Sequence, residues 1–212
     1  MLNRRSFLLA SLMALSLHRL AVADPVAGQD YQTLTASIGT DSAPGKIEVA
    51  EFFWYRCPHC FELEPAFNSW IRTLPADVAI RRIPAVLNND WAVQARVWYA
   101  MQELGVADKY HDAFFNAIHL DGLDATSEIN IFDWAGRVGM NRTAFANAYN
   151  SFAVQTKVLQ AAQLTRDAQI TGVPSFVVDG RFVTSVSMTG SEKALFATLN
   201  ALIDKVRKQH HR

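Results

Sequence analysis

The stretch that decides the fold is Glu51-Phe52-Phe53-Trp54-Tyr55-Arg56-Cys57-Pro58-His59-Cys60. It completes a mostly apolar run, Lys46 to Tyr55, rich in Ile, Val, Phe and Trp and about as long as a strand buried on both faces. A helical pattern follows from Phe61 to about Leu74, with Pro58 where the first turn of a helix tolerates proline. Pro65 falls inside that pattern and is expected to kink it. A cysteine pair between a strand and a helix has the context of a redox dithiol, because two intervening residues let the sulfurs meet across the first helical turn. Cys57 then sits at the helix N-terminus, where unpaired N–H groups and the positive dipole end favour a thiolate. Cys60, one turn on, is expected to be the more shielded. A partly protonated His59 between them would stabilise the Cys57 anion further. Stabilising the reduced form makes the disulfide a strong oxidant.

Working outward, Tyr31 to Ile38 reads as a short strand or extended lead-in, and Val78 to Ile83 as a strand after the first helix. From about Asn89 to Ile170 the pattern is helical throughout. The first of these helices has Asn89 or Asp90 as its cap and Val93, Val97, Met101 and Leu104 on its apolar face. Others run near Asp108–Leu120, Ser127–Val138 and Asn141–Phe152, and a longer one spans Val154 to Ile170. Strand character returns at Ser175 to Val178, turns at Asp179-Gly180 and continues through Arg181-Phe182-Val183 as a hairpin. An amphipathic helix from Gly190 to about Lys208 closes the chain. Strand, helix and strand need a crossover, and the hairpin can join the same sheet. The expected architecture is one α/β domain, residues 24–88 and 171–212, interrupted by a helical insertion at 89–170.

Residues 1–23 read as a signal peptide: Arg4 and Arg5, an apolar run from Ser6 to Leu17 too short to span a bilayer, then Ala21-Val22-Ala23 as a cleavage site. Asn3-Arg4-Arg5-Ser6-Phe7-Leu8 is similar to a twin-arginine signal, but paired arginines are ordinary in general secretory leaders, and the general route is expected. Losing Arg4, Arg5 and Arg19 leaves 17 basic against 20 acidic residues, so the mature chain carries −3. That balance offers no support for a nucleic-acid partner. Both cysteines lie in the mature part. A bridge closing so short a loop constrains the unfolded chain very little, so chemistry is a better reading than stapling.

Zinc would need two further Cys or His ligands. His111, His119, His210 and His211 are the remaining candidates, and only the tail pair is close in sequence. Covalent haem attachment wants histidine after the second cysteine, where Phe61 stands. No metal or other cofactor is implied. His111 and His119 are expected on a helix surface, and Glu64, one turn past Cys60, on a solvated helix face. Thr171-Gly172-Val173-Pro174 is either turn punctuation or the start of a strand beside the one carrying the cysteines. In the second case a cis Val173–Pro174 bond would turn the chain and free the Val173 backbone for an extended peptide, by β-addition. Arg56 either adds positive potential beside Cys57 or is an ordinary loop residue. Met188 is a candidate wall of an apolar substrate groove.

The Cys57-Pro58-His59-Cys60 tetrapeptide with a distant Gly172-Val173-Pro174 resembles the thioredoxin superfamily, and within it the DsbA-type proteins that form disulfides in the periplasm. The resemblance implies a thioredoxin-like fold with an inserted helical domain. It also implies Cys57 as the attacked sulfur, Cys60 as its buried partner, and Pro174 as a cis-proline facing them. Substrates would be unfolded or partly folded exported proteins with free thiols, oxidised through a mixed disulfide. A DsbB-type, quinone-linked membrane oxidase would restore the disulfide, and a monomer is expected. The family also carries an acid at the position of Glu51. A buried carboxylate there could relay protons to Cys60, against the alternative of a strand-edge acid in water. Two competing functions stay open: an isomerase or reductase of the same superfamily, and a peptide binder whose thiols are incidental.

Overall fold

The computed structural model describes residues 24–210; the signal-peptide reading of 1–23 lies outside them. Burial organises the rest around one strand. β2 (Ile47–Phe53) is buried at all seven positions, as a two-faced apolar run requires. It lies beside β3 (Val78–Pro84) in parallel and β4 (Ser175–Val178) antiparallel, and β4 continues through a hairpin into β5 (Phe182–Ser185). β1 (Gln32–Thr33) pairs with β5 at the edge, giving the sheet order β1-β5-β4-β2-β3. The longer first strand expected from Tyr31 to Ile38 shrinks to two residues. Past Thr33 only the amides of Leu34 and Ile38 bond to the hairpin, at the Arg181 and Gly180 carbonyls.

The hairpin turn explains its own sequence. Asp179 (φ 52°) and Gly180 (φ 65°) both take the left-handed conformation of a type I′ turn. A Cβ at Gly180 would stand 2.3 Å from the Ile38 carbonyl oxygen, so only glycine fits.

α1 (Pro58–Ile71) makes the crossover between β2 and β3, and Pro65 lies inside it. Between β3 and β4 the chain forms α2 (Asn89–Glu103), α3 (Ala107–His119), α4 (Glu128–Arg137), α5 (Arg142–Tyr149) and α6 (Phe152–Asp167). Side-chain caps start four of them: Asn88, Ser127, Asn141 and Ser151 each accept from the first turn. The α2 cap is Asn88, one residue before the expected Asn89 or Asp90. In this run of polar residues it is Asn88 that takes the extended backbone (φ −154°) a cap needs. A short helix that the sequence reading did not foresee, α7 (Val186–Thr189), precedes α8 (Glu192–His210).

One face of the sheet packs Val49, Phe176 and Val178 against Leu63 and Phe67 of α1 and Leu195, Leu199 and Leu202 of α8. The other packs Phe52, Ile83 and Val177 against Ala161 of α6 and Ile170. A third core, inside the helical block, includes Phe53, Tyr55, Cys57 and Cys60. The cysteines therefore sit where the α/β layers meet the helices.

Candidate active site

Cys57 is the N-cap residue of α1, with extended backbone (φ −81°, ψ 117°), and Pro58 opens the helix. The first helical bond runs from the Phe61 amide to the Cys57 carbonyl. Both cysteines are free thiols. Cys57 keeps 8% of its surface and Cys60 1%, so a partner sulfur has access only to the first.

The same position separates their acidities. A hydrogen bond from the Cys60 thiol, then the backbone amides of Cys60 and His59, bring the Cys57 thiol down to about 6 against the opposing effect of burial. The His59 charge acts in the same direction but contributes less than each of these. Its imidazole is exposed, with Nδ1 3.3 Å from the Glu62 carboxylate. Burial pushes the Cys60 thiol well above its ordinary value, aided by its neighbour Cys57.

Across from the pair, the Val173–Pro174 bond is cis, Pro174 is buried, and Cys57 Sγ lies 3.4 Å from the Val173 carbonyl oxygen. A groove of about 520 Å³ continues from there, lined by His59, Leu63, Ile170, Val173, Pro174 and Met188. Arg56 is exposed, its guanidinium 5.5 Å from the centre of the Trp54 ring.

Beneath Cys60 lies a buried ionic network. Glu51 pairs in register with Arg82 across the β2–β3 ladder and is 1% exposed, so it is not a strand-edge acid in water. Arg82 donates Nε–H to Glu51 Oε2 at 3.1 Å, and its Nη2 donates to Glu64 Oε2 at 3.2 Å and Asn68 Oδ1 at 2.6 Å. Burial, and then the Glu64 charge, raise the Glu51 carboxyl to about 8 despite Arg82. Its charge in turn reaches the Cys60 thiol.

Three expectations are overturned here. Glu64 is 5% exposed rather than solvated, and His111 3% exposed rather than on the surface. His111 Nε2 lies 3.0 Å from Glu64 Oε1 and Nδ1 2.8 Å from the Tyr55 hydroxyl. His119, also expected outside, is half-buried, with Nε2 2.8 Å from the Tyr55 carbonyl and its ring stacked on Phe61 at 4.7 Å. The signal was present in the spacing. Glu64 falls within the buried stripe of Cys60, Leu63, Phe67 and Trp70, and His111 with Phe114 and Phe115. A polar residue inside an apolar stripe is carried into the core with it, and buried polar groups are hydrogen-bonded. Glu64, His111 and Asp112 also bring one donor atom each within 4.8 Å of one another. The Arg82 cation already holds the other Glu64 oxygen, which disfavours a second cation there.

Comparisons with known proteins agree with this geometry. Residues 48–196 match the family model described as DSBA-like thioredoxin domain. The thiol:disulfide interchange protein DsbA of Pseudomonas syringae pv. tomato is 35% identical over 207 residues, covering 96% of both chains. That of Burkholderia cepacia is 34% identical over 203 residues, covering 95% of this chain and 96% of its own. The crystal structure of Pseudomonas aeruginosa DsbA superposes with a TM-score of 0.84 at 33% identity, covering 89% of this chain and 97% of that one. This protein therefore belongs to the DSBA-like thioredoxin family and is a thiol:disulfide oxidoreductase.

Proposed function

We propose that the protein works as an oxidant, donating a Cys57–Cys60 disulfide to exported proteins that carry free thiols. The observation that carries this reading is the split between the two thiols, Cys57 lowered to about 6 and Cys60 raised well above normal. A stabilised Cys57 thiolate favours the reduced pair, which makes the disulfide oxidising.

A substrate thiolate attacks Cys57 Sγ, the S–S bond breaks, and Cys60 leaves with the electron pair. Cys60 is a poor thiolate and needs a proton; Glu51, protonated up to about pH 8, is the relay that supplies it. The substrate's second thiolate then attacks its own sulfur in the mixed disulfide and expels Cys57, whose low pKa makes it a good leaving group. Two substrate thiols have become a disulfide, and the protein holds two electrons as its reduced pair.

Val173 and Pro174 present the substrate backbone beside Cys57, with Pro58 and His59 shaping the opposite lip. The groove through Met188 receives apolar side chains of varied sequence. Reoxidation falls to a DsbB-type membrane oxidase that passes electrons to quinone, and the enzyme works as a monomer in the periplasm. The three-part pattern in residues 1–23 supports export. Among the described residues, no helix is long and apolar enough to cross a membrane.

The test is a thiolate titration of Cys57 together with the redox equilibrium against glutathione. A midpoint near 6 and a potential more oxidising than the glutathione couple are expected. A midpoint above 8 with a reducing potential would reassign the protein as a reductant.

A further inference from the structure

The buried network holds two carboxylates and one cation. With Arg82 charged and His111 neutral, it is electrically balanced when one of Glu51 and Glu64 is ionised and the other carries a proton. Which of them keeps the proton matters, because only a protonated Glu51 can serve Cys60. Arg82 does not decide it, since it donates one hydrogen bond to each.

We infer that His111 is the positioning residue that makes the choice: by donating Nε2–H to Glu64 Oε1 it holds the negative charge on Glu64 and leaves the proton on Glu51. Its consequence for exchange rests on the reading of Glu51 as the relay to Cys60.

The argument is one of hydrogen-bond direction. His111 is buried with each ring nitrogen against one partner. If Nε2 carries the ring proton, it donates to a Glu64 carboxylate and Nδ1 accepts from the Tyr55 hydroxyl. If Nδ1 carries it, bare Nε2 faces Glu64 Oε1, and the contact survives only when Glu64 itself is protonated. The tautomer and the carboxyl proton are thus one choice. Three further observations favour the first arrangement.

Two side chains, Arg82 and His111, stand within hydrogen-bond distance of the Glu64 carboxyl, where Glu51 has Arg82 alone. Glu64 also lines a cavity of about 800 Å³ between α1 and α3, together with Arg82, His111 and Asp112. That cavity leaves Glu64 (5% exposed) nearer to solvent than Glu51 (1%), which does not line it. Finally, burial lowers the basicity of His111 and keeps the Tyr55 hydroxyl protonated, so both take the neutral forms this arrangement needs. The other groups facing Glu64 do not offset this. Asn68 on α1 is uncharged, Asp112 on α3 is exposed, and Glu51 on β2 is the competitor itself.

The first measurement uses the unaltered reduced protein: ring 15N shifts of His111 from pH 5 to 9. A protonated Nε2 and a bare Nδ1 are expected throughout; a protonated Nδ1 overturns the assignment, and this reading needs no variant to fold. The second follows the side-chain 13C shifts of Glu51 and Glu64, assigned with Glu51→Gln and Glu64→Gln. In His111→Phe the Glu51 midpoint should fall by roughly one unit or more while that of Glu64 rises, and His111→Gln, which keeps a donor, should restore both. Unmoved midpoints in a folded His111→Phe overturn the inference. Midpoints that move as stated, beside an unchanged pH profile for resolution of a Cys57 mixed disulfide, would confirm the role of His111 and refute the relay instead.

Discussion

Cys57 Sγ lies 3.4 Å from the carbonyl oxygen of Val173, a residue 116 positions away in the chain. β2 ends at the cysteine loop, β4 begins beside it after Pro174, and their antiparallel register sets Phe52 against Ser175. The reactive sulfur and the backbone that would hold a peptide thus belong to neighbouring strands of one sheet.

Removing the Cys60 thiol should raise the pKa of Cys57. In Cys60→Ala the anion loses the hydrogen bond that contributes most to its low value. A hydrogen bond to a charged group is worth about 1.5–3 kcal/mol, so the Cys57 midpoint should climb by roughly one to two units. Thiolate absorbance against pH measures it. The same variant should accumulate a mixed disulfide when offered a substrate peptide whose cysteine is capped with glutathione, because Cys57 attacks that disulfide, glutathione leaves, and no second thiol in the protein resolves the product.

The stability gap between reduced and oxidised protein should depend on pH in a stated direction. A thiol acid whose folded value is depressed contributes stability present above its unfolded value and lost as pH falls through the folded one. For Cys57 the window is pH 9 down to about 6. The reduced form should therefore gain on the oxidised form from pH 6 towards 9 and hold level below 6. Cys60, shifted upward, adds nothing below pH 9. Tm of both redox forms across this range reads the difference.

Arg82→Met should be among the most destabilising single changes. It leaves Glu51 and Glu64 facing each other with no cation between them, and breaking a buried pair costs about 3–5 kcal/mol. Arg82→Met with Glu64→Gln should recover much of that loss, as urea unfolding at pH 7 would register. Equal losses in both would mean that Arg82 acts through packing on Phe67 rather than through charge.

Met188→Ser should weaken substrate capture without touching the thiol. Part of the groove wall is lost, about 1 kcal/mol of apolar contact, so KM for an unfolded thiol substrate should rise about fivefold. The Cys57 midpoint should stay near 6.

Gly180→Ala tests the hairpin. A left-handed residue with a Cβ costs roughly 1–2 kcal/mol, and the contact with the Ile38 carbonyl adds to it. Tm should drop by several degrees, with the exchange rate unchanged below the transition.

Much of this protein is written locally in its sequence. β2, α1 and the cysteine pair follow from an apolar run, a helical period and a proline at the first turn. Ser175–Val178 and the Asp179-Gly180 turn match their reading residue for residue, because strand period and turn chemistry act over a few neighbours. The Cys57 thiolate, too, is foreshadowed by position alone, since a helix N-terminus carries its unpaired amides wherever it is placed. Partnership across the chain was not legible in the same way. Glu64, His111 and His119 read as solvated because each is polar on a helix, and only packing α1 against α3 and β3 surrounds them. Arg82 reads as half of an alternating strand until the parallel register sets it opposite Glu51. The sequence by itself determined the dithiol, the strand that carries it and the helix that activates it, through forces that act within a turn or two. Only the tertiary structure decided which ionisable groups share one dry space, and in low dielectric that company sets where the protons reside.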